Sequence, residues 1–261
     1  AVLSEHTLEN PAGPYILVDS CAMAMQKIAA AYRRTLDVKV VGITGSVGKT
    51  STKEMIASVL SQKYNVLKTE GNFNNEIGLP LTIFKIREEH EVAVLEMGIS
   101  HFDEMHRLAE MAQPDIMVIT NIGLCHLENL ITRDGILKAK TESFEHLAED
   151  GMVILNGDDD KLATVSEVNG RKPVFYGIGA VSDGSMEHGS TGNKREIFAE
   201  NVRTVGLEAT ECTVHLGKEV FSVTLPLAGV HNVYNALAAA AVARELGLTV
   251  EEMKRGMETV K

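Results

Sequence analysis

VVGITGSVGKTSTK, residues 40–53, runs from an apolar segment through a glycine-bearing turn into a lysine and a cluster of hydroxyl residues. The β-branched start reads as a strand buried on both faces, and the Ser/Thr-rich end as the first turn of a helix. Glycines let a backbone fold around a phosphate, helix N-terminal amides point at it, Lys49 supplies a cation, and the Thr50 hydroxyl can ligate Mg²⁺. Gly45, Ser46, Val47, Gly48, Lys49, Thr50 and Ser51 are therefore read as a phosphate-binding loop. Its spacing is the short GxxGKT and not GxxxxGK[ST], because Ile43 stands five residues before Gly48. The bland alternative is a strand-to-helix turn with a lysine in solvent.

Outward from this stretch, short β-branched runs alternate with helical patterns. Strands are expected at Val38–Ile43, Asn65–Lys68, Val92–Met97, Ile116–Thr120, Met152–Leu155 and Pro173–Tyr176, with helices at Ser51–Ser61, Asp103–Met111 and Asp134–Leu147 between them. The pattern predicts an α/β fold: a mostly parallel sheet flanked by helices, with ligand chemistry collecting beyond the carboxyl ends of the strands. Ser182–Arg195 is rich in Gly, Ser and charge and reads as a loop. Beyond it, near residues 195–225, Ile197–Val202, Ala209–Leu216 and Val220–Leu225 read as a small antiparallel section with Gly217 and Lys218 at a turn. An Ala-rich helix then spans Asn232–Glu245, and Thr249 with Glu252 forms a capping box for a last helix. At the other end, Tyr15–Val18 reads as a strand and Ser20–Leu36 as a helix leading into the sheet.

The 261 residues are 44% hydrophobic and 23% charged, as in ordinary globular proteins. Lys and Arg number 25 against 36 Asp and Glu, a balance of −11, and no basic stripe offsets it, so no nucleic-acid partner is expected. The three cysteines, Cys21, Cys125 and Cys212, lack CxxC spacing, which argues against a disulfide framework or thiolate zinc site and for a reducing, cytoplasmic setting. No segment reads as a signal peptide, and none predicts membrane insertion.

Other candidates follow the strands. Glu96 closes VAVLE; a carboxylate there needs a cation, which makes it a candidate Mg²⁺ ligand or else an acidic helix cap or a salt-bridged loop residue. Asn121, His126 and Glu128 follow the next strand; taken singly, His126 reads first as a structural histidine. Lys140 lies among Ile136, Leu137 and Phe144 on a helix, and nothing local distinguishes it from Lys138. TEGNFNNEIGLPLT, residues 69–82, reads as a loop whose asparagines serve turns or a ligand equally well. His231 and Asn232 open the Ala-rich helix, where Asn232 can be a cap.

In order, GITGSVGKTSTK, TEGNFNNEIGLPLT, LEMG, TNIGLCHLE, GILKAKTE, NGDD and GVHNVYNALAA resemble the Mur ligases, from about Tyr15 to Lys261. The resemblance implies that Lys49 and Thr50 hold the phosphates and Mg²⁺ of ATP, that Glu96 and His126 ligate magnesium, and that Lys140 is a position often carbamylated. It further implies adenine contacts from Asn232 and Asn235, and substrate contacts from Thr69, Asn72, Asn74 and Asn75. The implied reaction is ATP-dependent joining of D-alanyl-D-alanine to UDP-N-acetylmuramoyl-tripeptide through an acyl phosphate, by a monomer. Val47 departs from the Asn that many members carry. Residues 1–37 are expected to be the tail of an N-terminal nucleotide-substrate domain with its connecting helix, residues 38–261 a central ATP-binding domain, and a C-terminal domain is expected to be absent. Rival readings are another Mur-type amide ligase, a muramoyl-tripeptide synthetase or a folylpolyglutamate synthase, and a nucleotide-binding module without ligase activity.

Overall fold

Alternation within each apolar run assigns the two faces of the sheet. In β3 (Lys39–Thr44), Val41 and Ile43 pack into one core and Val40 into the other. The same split holds in β5 (Val92–Glu96) and β6 (Ile116–Ile119), so these strands must be covered on both sides. The computed structural model describes residues 2–179 and 196–260; the loop expected at 182–195 lies outside the described residues.

A short parallel pair, β1 (Val2–Ser4) and β2 (Tyr15–Leu17), precedes α1 (Cys21–Arg34), whose N-cap Ser20 accepts from the Met23 amide. Arg33 of α1 is buried and donates to the carbonyls of Leu36, Val38 and Ala112, which pins the helix to the start of β3. The main sheet then has nine strands. With β4 (Val66–Lys68), β7 (Met152–Asn156), β8 (Val174–Ile178), β9 (Ile197–Val205), β10 (Ala209–Leu216) and β11 (Glu219–Leu225), its order is β11-β10-β9-β8-β7-β6-β3-β5-β4. Pairing is parallel from β4 to β9 and antiparallel from β9 to β11, as expected. The chain leaves β3 for the β4 edge, returns to β5, and crosses to β6, so β3 lies where the winding reverses and a crevice opens at its carboxyl end.

One face carries α2 (Lys49–Leu60), α7 (Val230–Glu245) and α8 (Val250–Glu258); the other carries α1, α3 (Gly78–Ile83), α4 (Glu104–Ala112) and α6 (Arg133–Thr141). Ala236 and Ala238–Ala243 are almost wholly buried, as suits a helix enclosed on all sides by α2 and the sheet. The capping box of α8 is present.

Three expectations need correction. The helix expected over 134–147 ends at Thr141 and continues as a 3-10 turn, Glu142–His146, because Thr141 and Ser143 hydroxyls bond the carbonyls of Leu137, Lys138 and Lys140 and compete with helical amides. The stretch 69–82 is not loop throughout: Asn75 Oδ1 accepts from the amides of Ile77 and Gly78 and starts α3, where Pro80 sits in the first turn and lacks only an amide that has no helical partner. The Ala-rich helix begins at Val230 with Gly229 as N-cap, so Asn232 is not its cap.

Candidate active site

The loop between β3 and α2 has the backbone that its glycines allow. Gly45 has φ 151°, and a Cβ there would lie 1.9 Å from Thr120 Oγ1; Gly48, the N-cap of α2, has φ 80° and offers no side-chain cap. The loop is clamped to the segment after β6. Asn121 Oδ1 accepts from the Val47 amide at 3.0 Å, Thr120 Oγ1 donates to the Val47 carbonyl at 2.7 Å, and Ser46 Oγ accepts from the Gly123 amide at 2.8 Å. These contacts hold the polar atoms of the loop on its β6 side, and the Val47 side chain is left 60% exposed. The first amides of a twelve-residue helix therefore stand uncapped at the crevice, an arrangement that attracts anions.

Beneath them lies Glu96 at the end of β5, 1% exposed. The Thr50 hydroxyl donates to its carboxylate, at 3.2 and 3.0 Å to the two oxygens, and Asn74 Nδ2 donates at 2.8 Å. Thr69 accepts from the Glu96 backbone amide, and Asn72 accepts from Asn74, so three of the four residues expected to touch substrate are tied directly or through Asn74 to Glu96. Asn75 instead serves the start of α3.

Lys53 was not singled out by sequence, yet it is 1% exposed and stands 3.1 Å from Glu54 and 3.8 Å from Glu96. The available signal is its spacing: four residues after Lys49, it shares one helix face with the loop lysine. Glu54 is also paired with Lys68; burial would raise its carboxyl pKa, but the two lysines outweigh that and hold it below the usual range.

Lys49 Nζ donates to the Gly45 carbonyl at 3.0 Å, and no carboxylate pairs with it among the described residues. The structure selects Lys140 over the exposed Lys138. Lys140 is 3% exposed and its nearest hydrogen-bonding partner is Thr44 Oγ1 at 3.5 Å. Burial first, and the charge of Lys49 second, push its pKa down to about 7. Two lysines without acidic partners among the described residues thus face one another at the end of β3, a place suited to an anion.

The donor set fits Mg²⁺. A hydroxyl and a buried carboxylate already in contact are hard oxygen ligands of the kind that ion takes. Thr50 and Glu96 are brought together. His126 precedes the short helix α5 (Leu127–Leu130) with φ 62°, and its Nδ1 is 3.8 Å from Glu128; among the described residues no hydrogen bond or ion pair joins it to Glu96.

On the α7 side a cleft of about 600 Å³ is lined by Gly48, Ser51, Asn121, Asn156, Tyr234 and Asn235, among others. Asn235 Oδ1 accepts from Thr52 Oγ1 at 2.8 Å, and its amide donates to Asn232, whose own amide donates to the Ala228 carbonyl. Asn235 reaches the cleft wall, and Asn232 lies behind it. Tyr234 donates to Asp158 of NGDD at 2.9 Å. Tyr234 and Thr120, a further residue of that wall, had no signal in the sequence before the fold placed them there.

Comparison with known proteins gives the family of the chain. The family profile described as Mur ligase middle domain matches residues 43–243. The UDP-N-acetylmuramoyl-tripeptide–D-alanyl-D-alanine ligase of Bacillus subtilis is 39% identical over the whole chain, and the chain covers 53% of it. A crystal structure of MurF from Acinetobacter baumannii superposes with a TM-score of 0.87 at 32% identity, covering 99% of this chain and 54% of that one. MurF ligase from Thermotoga maritima in complex with ADP gives 0.85 at 30% identity, covering 100% and 57%. The chain spans about half the length of the relatives it matches. By the extent of the profile match and the likeness of its fold, the chain belongs to the Mur ligase family.

Proposed function

We propose that the chain is the ATP-binding part of a ligase that joins D-alanyl-D-alanine to UDP-N-acetylmuramoyl-tripeptide in peptidoglycan precursor synthesis. The carrying observation is the convergence at β3 of uncapped helix amides, two lysines that no carboxylate pairs with among the described residues, and the Thr50–Glu96 pair. The 39% identity to the B. subtilis ligase supports the choice of substrates. Residues 38–261 are the ATP-binding domain of this reading, and residues 1–37 the end of the preceding nucleotide-substrate domain with its connecting helix.

In this reading the amides from Gly48 to Ser51 and the Lys49 ammonium hold the polyphosphate of ATP, the Val47 amide being taken by Asn121, and Asn235 with Asn232 shapes the cleft toward adenine. Thr50 and Glu96, with His126 from the β6 loop, are the residues that would hold Mg²⁺. When bound, the ion offsets repulsion between the γ-phosphate and the incoming carboxylate. A carboxylate oxygen of the tripeptide attacks the γ-phosphorus, ADP leaves, and the acyl phosphate forms. The amine of D-alanyl-D-alanine then attacks the carbonyl carbon, the C–O bond to phosphate breaks, and the amine loses a proton to give the amide and inorganic phosphate. Lys49 and Lys140 lie where negative charge gathers in the first step. The exposed Asn72 and Asn75 form the side facing the uridine nucleotide substrate, with Thr69 and Asn74 buried behind them against Glu96. The enzyme of this reading is a cytoplasmic monomer; no described helix is long and apolar enough to cross a membrane.

The test is phosphate release dependent on both ATP and D-alanyl-D-alanine, measured with UDP-N-acetylmuramoyl-tripeptide in the full-length enzyme carrying this sequence. Release with that tripeptide and dipeptide supports the reading. ATP binding without release on any amino acid or dipeptide points to a nucleotide-binding module, and release only with a different acceptor points to another Mur-type ligase.

A further inference from the structure

On the opposite face of the sheet from α2, α4 packs against the 3-10 turn Glu142–His146. His106, the third residue of α4, meets Glu145 and His146 of that turn, which lies about forty positions away in sequence. His106 Nδ1 is 2.8 Å from Glu145 Oε2, and His146 Nε2 is 3.3 and 3.4 Å from the two ring nitrogens of His106. One ligand atom from each residue falls within a 4.8 Å group. Among the described residues, these three side chains find hydrogen-bonding partners only in one another.

We propose that His106, Glu145 and His146 form a binding site for a divalent transition-metal ion of the zinc class, bridging α4 and the turn that follows the Lys140 helix. Two imidazoles and one carboxylate are a set that zinc takes, with a further position left for water. An ion about 2.0–2.1 Å from tetrahedral ligands holds those atoms about 3.3 Å apart, the spacing already present between the two rings. The rings meet edge to face, with centroids 4.4 Å apart and planes at 70°. Their nearly equal nitrogen distances place His146 Nε2 over the flat of the His106 ring, so capture of an ion involves turning His106 about χ2, a broad torsion. The His106 side chain is 42% exposed and that of Glu145 62%, which leaves room for this turn and a path for entry. Glu110, one turn further along α4 on the same face, adds negative charge. Imidazole ligands favour zinc, nickel or copper over magnesium, so this site and the hard oxygen pair at Glu96 select different ions.

The experiment is titration of the chain, freed of metal by chelation, with Co²⁺ and then Zn²⁺, read by visible absorption and calorimetry. One equivalent is expected to bind, with cobalt bands displaced by zinc. His106→Ala and His146→Ala should each weaken binding by about tenfold or more, while His101→Ala, an exposed histidine paired with Glu104, should leave it unchanged. Since a variant can loosen the packing of α4, the unsubstituted chain gives a second reading: among its histidine ring NMR signals, those of His106 and His146 should shift with zinc. Binding by His106→Ala and His146→Ala equal to that of the unsubstituted chain, ring shifts confined to other histidines, or no binding of either ion by the unsubstituted chain would overturn the proposal.

Discussion

Two lysines are buried near the phosphate loop, and their surroundings are opposite. Lys53, on the α2 face, has Glu54 at 3.1 Å and Glu96 at 3.8 Å. Lys140, arriving from α6 on the other face, has among the described residues only the Thr44 hydroxyl for its amine, at 3.5 Å, and feels the like charge of Lys49. Burial penalises a charge in both places, but among the described residues only Lys53 has carboxylates to offset it. Lys53 is therefore a fixed counter-ion for the site, and Lys140 an amine whose proton is easily lost. Residue type and burial are the same; the neighbours decide the chemistry.

The sharpest way to break this contrast is to remove the paired lysine. Lys53→Met leaves Glu96 buried with one cation fewer, and loss of a partner from a buried pair costs about 3–5 kcal/mol. Urea unfolding at neutral pH should show a loss of that size, and adding Glu96→Gln should restore a large part of it, since the two residues act as a unit. A loss below about 1 kcal/mol would mean that the pair contributes little.

Lys49 stands between these two cases, half-buried with one bond to a carbonyl. Lys49→Ala should lower Mg-ATP affinity about a hundredfold, roughly 2.7 kcal/mol, with little change in the urea midpoint. Calorimetry giving equal affinities would reject the loop assignment.

Removing the unpaired lysine should act in the opposite sense. Its folded pKa, about 7, lies below the ordinary lysine value. Below pH 7 both folded and unfolded chains carry the proton, and the cost of burying it is fully present. From about pH 7 to about 10.5 the folded chain has shed a proton that the unfolded chain keeps, so stability rises with pH across that window. Lys140→Met should thus stabilise the chain at pH 6, by about 2 kcal/mol, and the advantage should shrink toward pH 10. A variant less stable than the parent at pH 6 would show that the ammonium has partners after all.

This contrast also marks what the sequence could convey. The strand, the glycine turn and the hydroxyl-rich helix start are contiguous, so the phosphate loop and the parallel sheet around it were legible. Glu96 was legible as a strand-end carboxylate. Lys53 was not, because its meaning depends on Glu96, 43 positions away (96 − 53 = 43) at the end of a strand, while Lys53 itself is on a helix. Lys140 could be chosen over Lys138 only through family resemblance, since which side of α6 faces Thr44 is settled by packing. The helix start at Gly78 was hidden because Asn, Gly and Pro signal turns in sequence, and here the same residues lead into and open a helix.

The smallest expected effect is also the most specific to Lys140. A neutral amine adds CO₂: the nitrogen lone pair forms a bond to carbon, a C=O electron pair moves onto oxygen, and the nitrogen loses a proton to solvent, leaving a carbamate. At pH 7 a lysine with a pKa of about 7 is roughly half neutral, whereas one at the ordinary value is neutral in fewer than about one molecule in a thousand. The product is anionic, and the charge of nearby Lys49 favours it. With ¹³C-labelled bicarbonate, a carbamate resonance is expected in the parent chain and in Lys53→Met, and is expected to vanish in Lys140→Met. In the full-length enzyme, Lys140→Ala should regain part of its activity with added short carboxylic acids, which restore a carboxylate but not an ammonium. If the resonance is the same in Lys140→Met as in the parent, or absent from both at all bicarbonate concentrations, Lys140 is an ammonium and its place beside Lys49 is explained by phosphate binding alone.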